Sequence, residues 1–121
     1  MKTCKLLREQ VAAATGSKKA ELVLKNAQIV NVFTQSVETG DIAIEGGYIV
    51  GIGNYEGITE KDLGGAYVCP GFLDGHIHIE SSMTSPGEFE RAVVPHGTIA
   101  VITDPHEIAN VAGTAGIRFM M

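Results

Sequence analysis

"FLDGHIHIE", residues 72–80, decides how the chain is read. It is apolar enough for a buried strand, yet it carries Asp74, His76, His78 and Glu80 at alternate positions. Side chains alternate faces along a strand. The pattern therefore puts these four residues on one face and Leu73, Ile77 and Ile79 on the other. Burying two imidazoles and two carboxyls without partners is costly, so something must satisfy them. A divalent cation does so directly, because neutral imidazole is a common ligand for zinc, iron and manganese. His76 and His78 are the candidate metal ligands. A catalytic site needs at least three protein ligands and an open position, so this strand supplies only part of one. The plainer reading of an H-x-H pair is two hydrogen-bonded histidines. The apolar strand, the Pro70-Gly71 before it and the β/α pattern after it favour the metal.

Downstream, residues 85–97 read as a helix. Ser85 is the candidate N-cap, Pro86 takes the first helical position and Glu88 completes a capping box. Phe89, Ala92 and Val93 form the apolar stripe, and Pro95 predicts an irregular last turn. "TIAVIT", residues 98–103, reads as a second buried strand. "DPHEIAN", residues 104–110, reads as a loop, and residues 111–121 as a second helix. Strand, helix, strand, helix with continuous apolar strands predicts right-handed parallel β/α units. Such folds carry their sites at the C-terminal ends of the strands. Asp104, His106 and Glu107 therefore join Glu80 as pocket candidates, with Asn110 a weaker one. His106 has three roles open to it: orienting substrate, moving protons or holding a further metal. Against these stands simple hydrogen bonding, with Asp104 capping the loop before Pro105.

Upstream, residues 2–16 read as a packing helix with Leu6, Leu7, Val11 and Ala14 towards one face and Gly16 as its stop. Residues 20–69 read as a small antiparallel β unit. A hairpin turn is expected at Glu45-Gly46-Gly47, further turns at 54–57 and 62–65, and a short strand at 66–69. Nothing there looks catalytic. The division expected is a helical segment at 1–19, a β domain at 20–69 and β/α units at 70–121.

Composition narrows the function classes. The chain has 121 residues, 45% of them hydrophobic, and a formal net charge of −5. It can bury a core, and its mild acidity argues against nucleic acid or an anionic membrane as partner. Cys4 and Cys69 lack C-x-x-C spacing and no signal peptide precedes them, so reduced thiols in a cytoplasmic protein are expected. No apolar run approaches the ~18 residues of a membrane span. Apolar residues run to Met121 without a helix stop, as in a chain cut rather than finished.

"VCPGFLDGHIHIESSM", residues 68–83, resembles the first barrel strand of the amidohydrolase superfamily, preceded by its small β-sandwich. Within that superfamily, "HIHIESSM", "VVPHGTIAVITDPHEIANV" and "AGIRFMM" are similar to the bacterial and archaeal adenine deaminases. The resemblance runs from about Glu21 to the end. It implies an α/β fold: an N-terminal helix, an incomplete antiparallel β-sandwich and the first two β/α units of a (β/α)8 TIM barrel. It implies a metal-dependent hydrolase that converts adenine and water to hypoxanthine and ammonia, with His76 and His78 as metal ligands. The cofactor implied is manganese or iron, binuclear in the full-length protein, with zinc allowed by the ligand types. A cytoplasmic homo-oligomer acting on a small molecule is implied too. A complete barrel needs ~250 residues, so the later ligands and the acid/base group have no positions here. The chain is expected to be an N-terminal portion, inactive alone. Two alternatives stand beside this reading. One is a dihydroorotase-like or hydantoinase-like hydrolase of cyclic amides. The other is a non-catalytic binding or assembly module, which would leave the strand at 98–103 as an uncovered apolar edge.

Overall fold

The computed structural model describes residues 4–121. The chain divides into two compact units, one ending at Cys69 and the other beginning at Pro70.

The first unit contains α1 (Cys4–Ala14), β1 (Ala20–Asn31), β2 (Ser36–Glu45), β3 (Tyr48–Gly53), β4 (Gly57–Asp62) and β5 (Tyr67–Val68). Residues 1–3 of the expected helical segment lie outside the described residues. The packing face of α1 is only partly the expected one: Leu6 and Ala14 are half-buried. Leu7 and Val11 are more than half exposed, whereas Gln10 and Ala13 are buried. The helix docks through small side chains. Ala13 packs with Ala20, Val23 and Ala43, flanked by Val50 and Tyr55. Gln10 Nε2 donates to the Glu45 carbonyl at 3.2 Å, and Tyr55 donates its hydroxyl hydrogen to the Ala14 carbonyl at 3.1 Å.

The sheet has the order β3-β2-β1-β4, with β5 also pairing β1. β1–β2 and β2–β3 are antiparallel, but β4 and β5 run parallel to β1. The expected antiparallel unit is thus a single mixed sheet. β4, "GITEKD", carries no strand signal because Ile58 is its only large apolar residue. Main-chain pairing to β1 holds it, and no side-chain pattern announces it. The hairpin between β2 and β3 does turn at Gly46 and Gly47, both at positive φ (58° and 76°), a conformation glycine adopts cheaply.

One face of the sheet meets α1. The other carries Ala27, Ile29 and Ile42, with Leu24, Ile44, Leu63 and Val68 half-buried against them. Ile44 and Ile42 pair with Ile49 and Ile52 of β3, both of which are exposed. An apolar surface therefore continues across β1, β2 and β3.

Gly51 sits where the sheet meets α1. A Cβ built there would lie 2.0 Å from the Tyr55 hydroxyl and 2.4 Å from the ring carbon bearing it. Gly51→Ala must push the Tyr55 ring away and break its bond to Ala14. A loss of about 2 kcal/mol is expected, read as a lowered thermal midpoint with a normal far-ultraviolet spectrum.

The second unit contains β6 (Phe72–Ile77), a 3-10 turn (Ile79–Ser82), α2 (Pro86–Val93), a second 3-10 turn (Val94–His96), β7 (Thr98–Thr103) and α3 (His106–Met120). β6 and β7 pair in parallel. Ser85 caps α2 by accepting from the Glu88 N–H at 3.4 Å, with Pro86 next. Only half of the capping box forms, because the Glu88 carboxylate turns to Arg91 Nη1 at 2.7 Å. Pro95 falls in the second 3-10 turn, and Gly97 ends it at φ 95°.

Two expectations fail in this unit. First, β6 stops at Ile77. His78 is still extended, at φ −106° and ψ 95°. Glu80 lies in the 3-10 turn, beyond the reach of strand alternation. Secondly, residues 106–110 are helical, since α3 begins at His106 rather than 111. Its N-cap residue, Pro105, offers no side-chain cap. The Glu80 carboxylate supplies one from elsewhere, with Oε1 accepting from Ile108 N–H at 3.4 Å. A cap contributed from 28 residues away leaves no local start signal. α3 also kinks at Gly113, at φ 59° and ψ −145°.

Candidate metal centre

The site gathers where β6 and β7 end. His76 is the penultimate residue of β6, and His78 follows the strand by one residue. Their Nε2 atoms stand 3.1 Å apart, with the rings edge-on at 84°. His78 Nδ1 lies 2.8 Å from the Asp104 main-chain carbonyl. A carbonyl only accepts, so this nitrogen carries the hydrogen and His78 Nε2 carries the free lone pair. Two imidazole nitrogens bound to one ion at ~2.0–2.1 Å would stand roughly 3.0–3.4 Å apart, depending on coordination angle. The observed separation falls within that range. The donor set therefore fits a divalent cation.

Asp104 and His106 come from the β7–α3 junction. Asp104 Oδ2 accepts from His106 Nδ1 at 3.2 Å. The His106 ring lies edge-on to that of His78, with centroids 4.8 Å apart. Glu107 receives the Ser81 hydroxyl, which lies 3.0 Å from each of its carboxylate oxygens. Among the described residues, two donor groups lie within 4.8 Å internally. They are His76, His78 and Asp104, and His78, His106 and Glu107. Either can hold a metal ion, and both include His78.

The remaining candidates stand apart. Asp74 Oδ1 accepts from the His76 N–H at 3.0 Å, bending back along its own strand, and belongs to neither group. Glu80 also belongs to neither. It caps α3 through Oε1, while its Oε2 is buried without a hydrogen-bond partner among the described residues. Asn110 takes no part. The expected four-residue face thus reduces to two histidines. Ser81, which the sequence pattern does not single out, links the "ESS" turn to the "DPHE" segment. Only the adjacency of "ESS" to the histidine pair hints at it.

Residues 67–121 match the Amidohydrolase family. Adenine deaminase 2 of Carboxydothermus hydrogenoformans is 61% identical over 97% of this chain and 20% of its own length. The adenine deaminase of Geobacillus kaustophilus is 59% identical over 95% of the chain and 20% of its own. That of Listeria monocytogenes is 51% identical over the whole chain and 21% of its own. Its relatives are adenine deaminases. The chain spans about a fifth of the length of these adenine deaminases. Among solved structures, the L-hydantoinase of Arthrobacter aurescens aligns over 50% of this chain and 14% of its own. Its identity is 28% and its TM-score 0.43, a likeness too slight to carry an argument about the fold. No helix among the described residues is long and apolar enough to cross a membrane.

Proposed function

We propose that this chain is the N-terminal portion of a metal-dependent adenine deaminase, which hydrolyses adenine to hypoxanthine and ammonia. The observation that carries the reading is the convergence of His76 and His78 Nε2 at 3.1 Å, in a chain whose relatives are adenine deaminases. His76 and His78 would hold a divalent cation, manganese or iron, with zinc compatible with the donors. Such an ion supplies water activation near neutral pH. Asp104 fixes the His78 ring, and His106 and Glu107 line the same mouth. Glu80 acts from below by holding the first turn of α3. The remaining ligands, a second metal and the acid/base group belong to the rest of the protein.

The finer fold belongs to the same proposal. β6-α2-β7-α3 would open a (β/α)8 barrel, whose interior and outer helices would cover the exposed Ile99 and Ile102 on opposite faces of β7. The apolar surface across β1, β2 and β3 would be the inner face of a β-sandwich. The segments at 1–19, 20–69 and 70–121 would then be a docking helix, a partial sandwich and the start of the barrel. Cys4 and Cys69 are free exposed thiols, which favours a reducing cytoplasm. Homo-oligomerisation rests on the resemblance alone.

A chimera tests the function. This chain replaces the matching fifth of the Geobacillus kaustophilus adenine deaminase, and adenine conversion is followed by ultraviolet absorbance with manganese present. Turnover within about tenfold of the unmodified enzyme is expected (~1.4 kcal/mol of barrel fit), and the 121-residue chain alone should show none. An inactive but folded chimera, or one that hydrolyses a cyclic amide instead of adenine, would overturn the assignment.

A further inference from the structure

Asp104 touches two of the three histidines at this mouth, and by different groups. Its main-chain carbonyl faces His78 Nδ1 at 2.8 Å, and its carboxylate faces His106 Nδ1 at 3.2 Å. Both acceptors favour the same tautomer, with hydrogen on Nδ1 and the lone pair on Nε2. A neutral imidazole that donates from one nitrogen to a carboxylate or carbonyl is the usual form of an oriented metal ligand. His106 therefore has the orientation of a ligand without a role assigned to it. It stands beside His78, with ring centroids 4.8 Å apart, and within the donor group that contains His78 and Glu107. That neighbouring carboxylate is itself held by the Ser81 hydroxyl.

We propose that Asp104 is the positioning residue of this mouth, fixing His78 through its carbonyl and His106 through its carboxylate, so that His106 joins His78 and Glu107 in a seat for a divalent cation. The proposal deepens the metal reading given above and rests on it. Asp104 itself stays outside this seat, whose donor group is His78, His106 and Glu107, while its carbonyl and Oδ2 face the two rings. The two roles of Asp104 separate cleanly under mutation. Removing its side chain releases His106 and leaves the carbonyl that holds His78.

Long-range proton–nitrogen spectra of the 121-residue chain, recorded without metal and above the imidazole titration range, read the tautomers directly. His78 and His106 should both carry hydrogen on Nδ1. In Asp104→Ala, His106 should lose this preference while His78 keeps it. Asp104→Asn retains an acceptor oxygen and should restore His106. Cobalt(II) titration, followed by visible absorbance, reads the seat. Affinity should fall about 10- to 100-fold in Asp104→Ala, as for loss of an orienting partner, and further in His106→Ala. If His106 in the unsubstituted chain carries its hydrogen on Nε2, the inference is overturned without reference to metal. If His78→Ala abolishes cobalt binding while His106→Ala leaves it unchanged, the seat of His78, His106 and Glu107 is wrong and the His76–His78 reading survives. If His78→Ala also leaves binding unchanged, both fail.

Discussion

His78→Ala is expected to cost the chain at least ~100-fold in manganese affinity, since loss of even an indirect partner of a metal ligand costs 10–100-fold. The reason lies in its position. Among the described residues His78 is the one common to both donor groups, and its ring is fixed by a main-chain carbonyl. Its removal takes away the Nε2 partner of His76 and the ring held by the Asp104 carbonyl, while Asp104 N–H stays bonded to the Ile77 carbonyl of β6. Calorimetric titration with manganese, beside circular dichroism to show that the variant remains folded, checks the expectation. In the chimeric enzyme the same substitution should abolish adenine turnover. His96, in the 3-10 turn that precedes β7 and so at the opposite end of that strand from the site, is the control: His96→Ala should leave manganese affinity unchanged. A His78→Ala chain that binds manganese normally would mean that the two histidines are merely hydrogen-bonded to each other.

The largest effect on stability is expected away from the site, at Asp41. This carboxylate is 5% exposed and sits where β1 bulges between Leu24 and Ala27. It accepts from Lys25 Nζ, from the Asn26 N–H at 3.1 Å and from the Tyr55 N–H at 3.4 Å. Burial by itself raises its pKa. The Lys25 bond and the two main-chain donors outweigh that and hold it below the usual carboxylate value. Asp41→Ala strands three donors around a bulge, and a loss of about 3 kcal/mol is expected. The pH dependence has a definite sign. The folded pKa of Asp41 is depressed, so its stabilisation is full above the unfolded carboxylate value and disappears as pH falls through the folded one. The Lys25 pKa is raised, chiefly by its bond to Asp41. Its share is full below the unfolded lysine value and is lost as pH rises through the folded one. Denaturant melts should therefore show a shallower acid limb in Asp41→Ala than in the parent chain. Equal slopes in both would remove Asp41 as a source of the acid limb.

What the sequence discloses, and what it hides, follows from where the information lies. Period-two spacing alone makes His76 and His78 neighbours, because both stay in extended backbone. The same rule fails at Glu80, where the chain turns into a 3-10 helix and the carboxylate goes to Ile108 N–H. α2 is legible through Ser85 and Pro86, and its irregular end through Pro95, all local signals. The start of α3 is not, since its cap comes from Glu80. β4 escapes because main-chain pairing defines it, and the face of α1 because alanines and a glutamine dock it in place of the larger Leu7 and Val11. The Asp104 carbonyl is invisible in principle: any residue carries one, and only the fold brings it to His78.

The central claim is that His76 and His78 hold one ion through their Nε2 atoms. Zinc, which is diamagnetic, tests this most directly when added to the nitrogen-15 labelled chain and followed in long-range proton–nitrogen spectra. One equivalent should move the Nε2 resonances of His76 and His78 together, with Nδ1 of His78 still protonated against Asp104. Unmoved Nε2 resonances at saturating zinc, or a shift at Nδ1 of His78 instead, would contradict it.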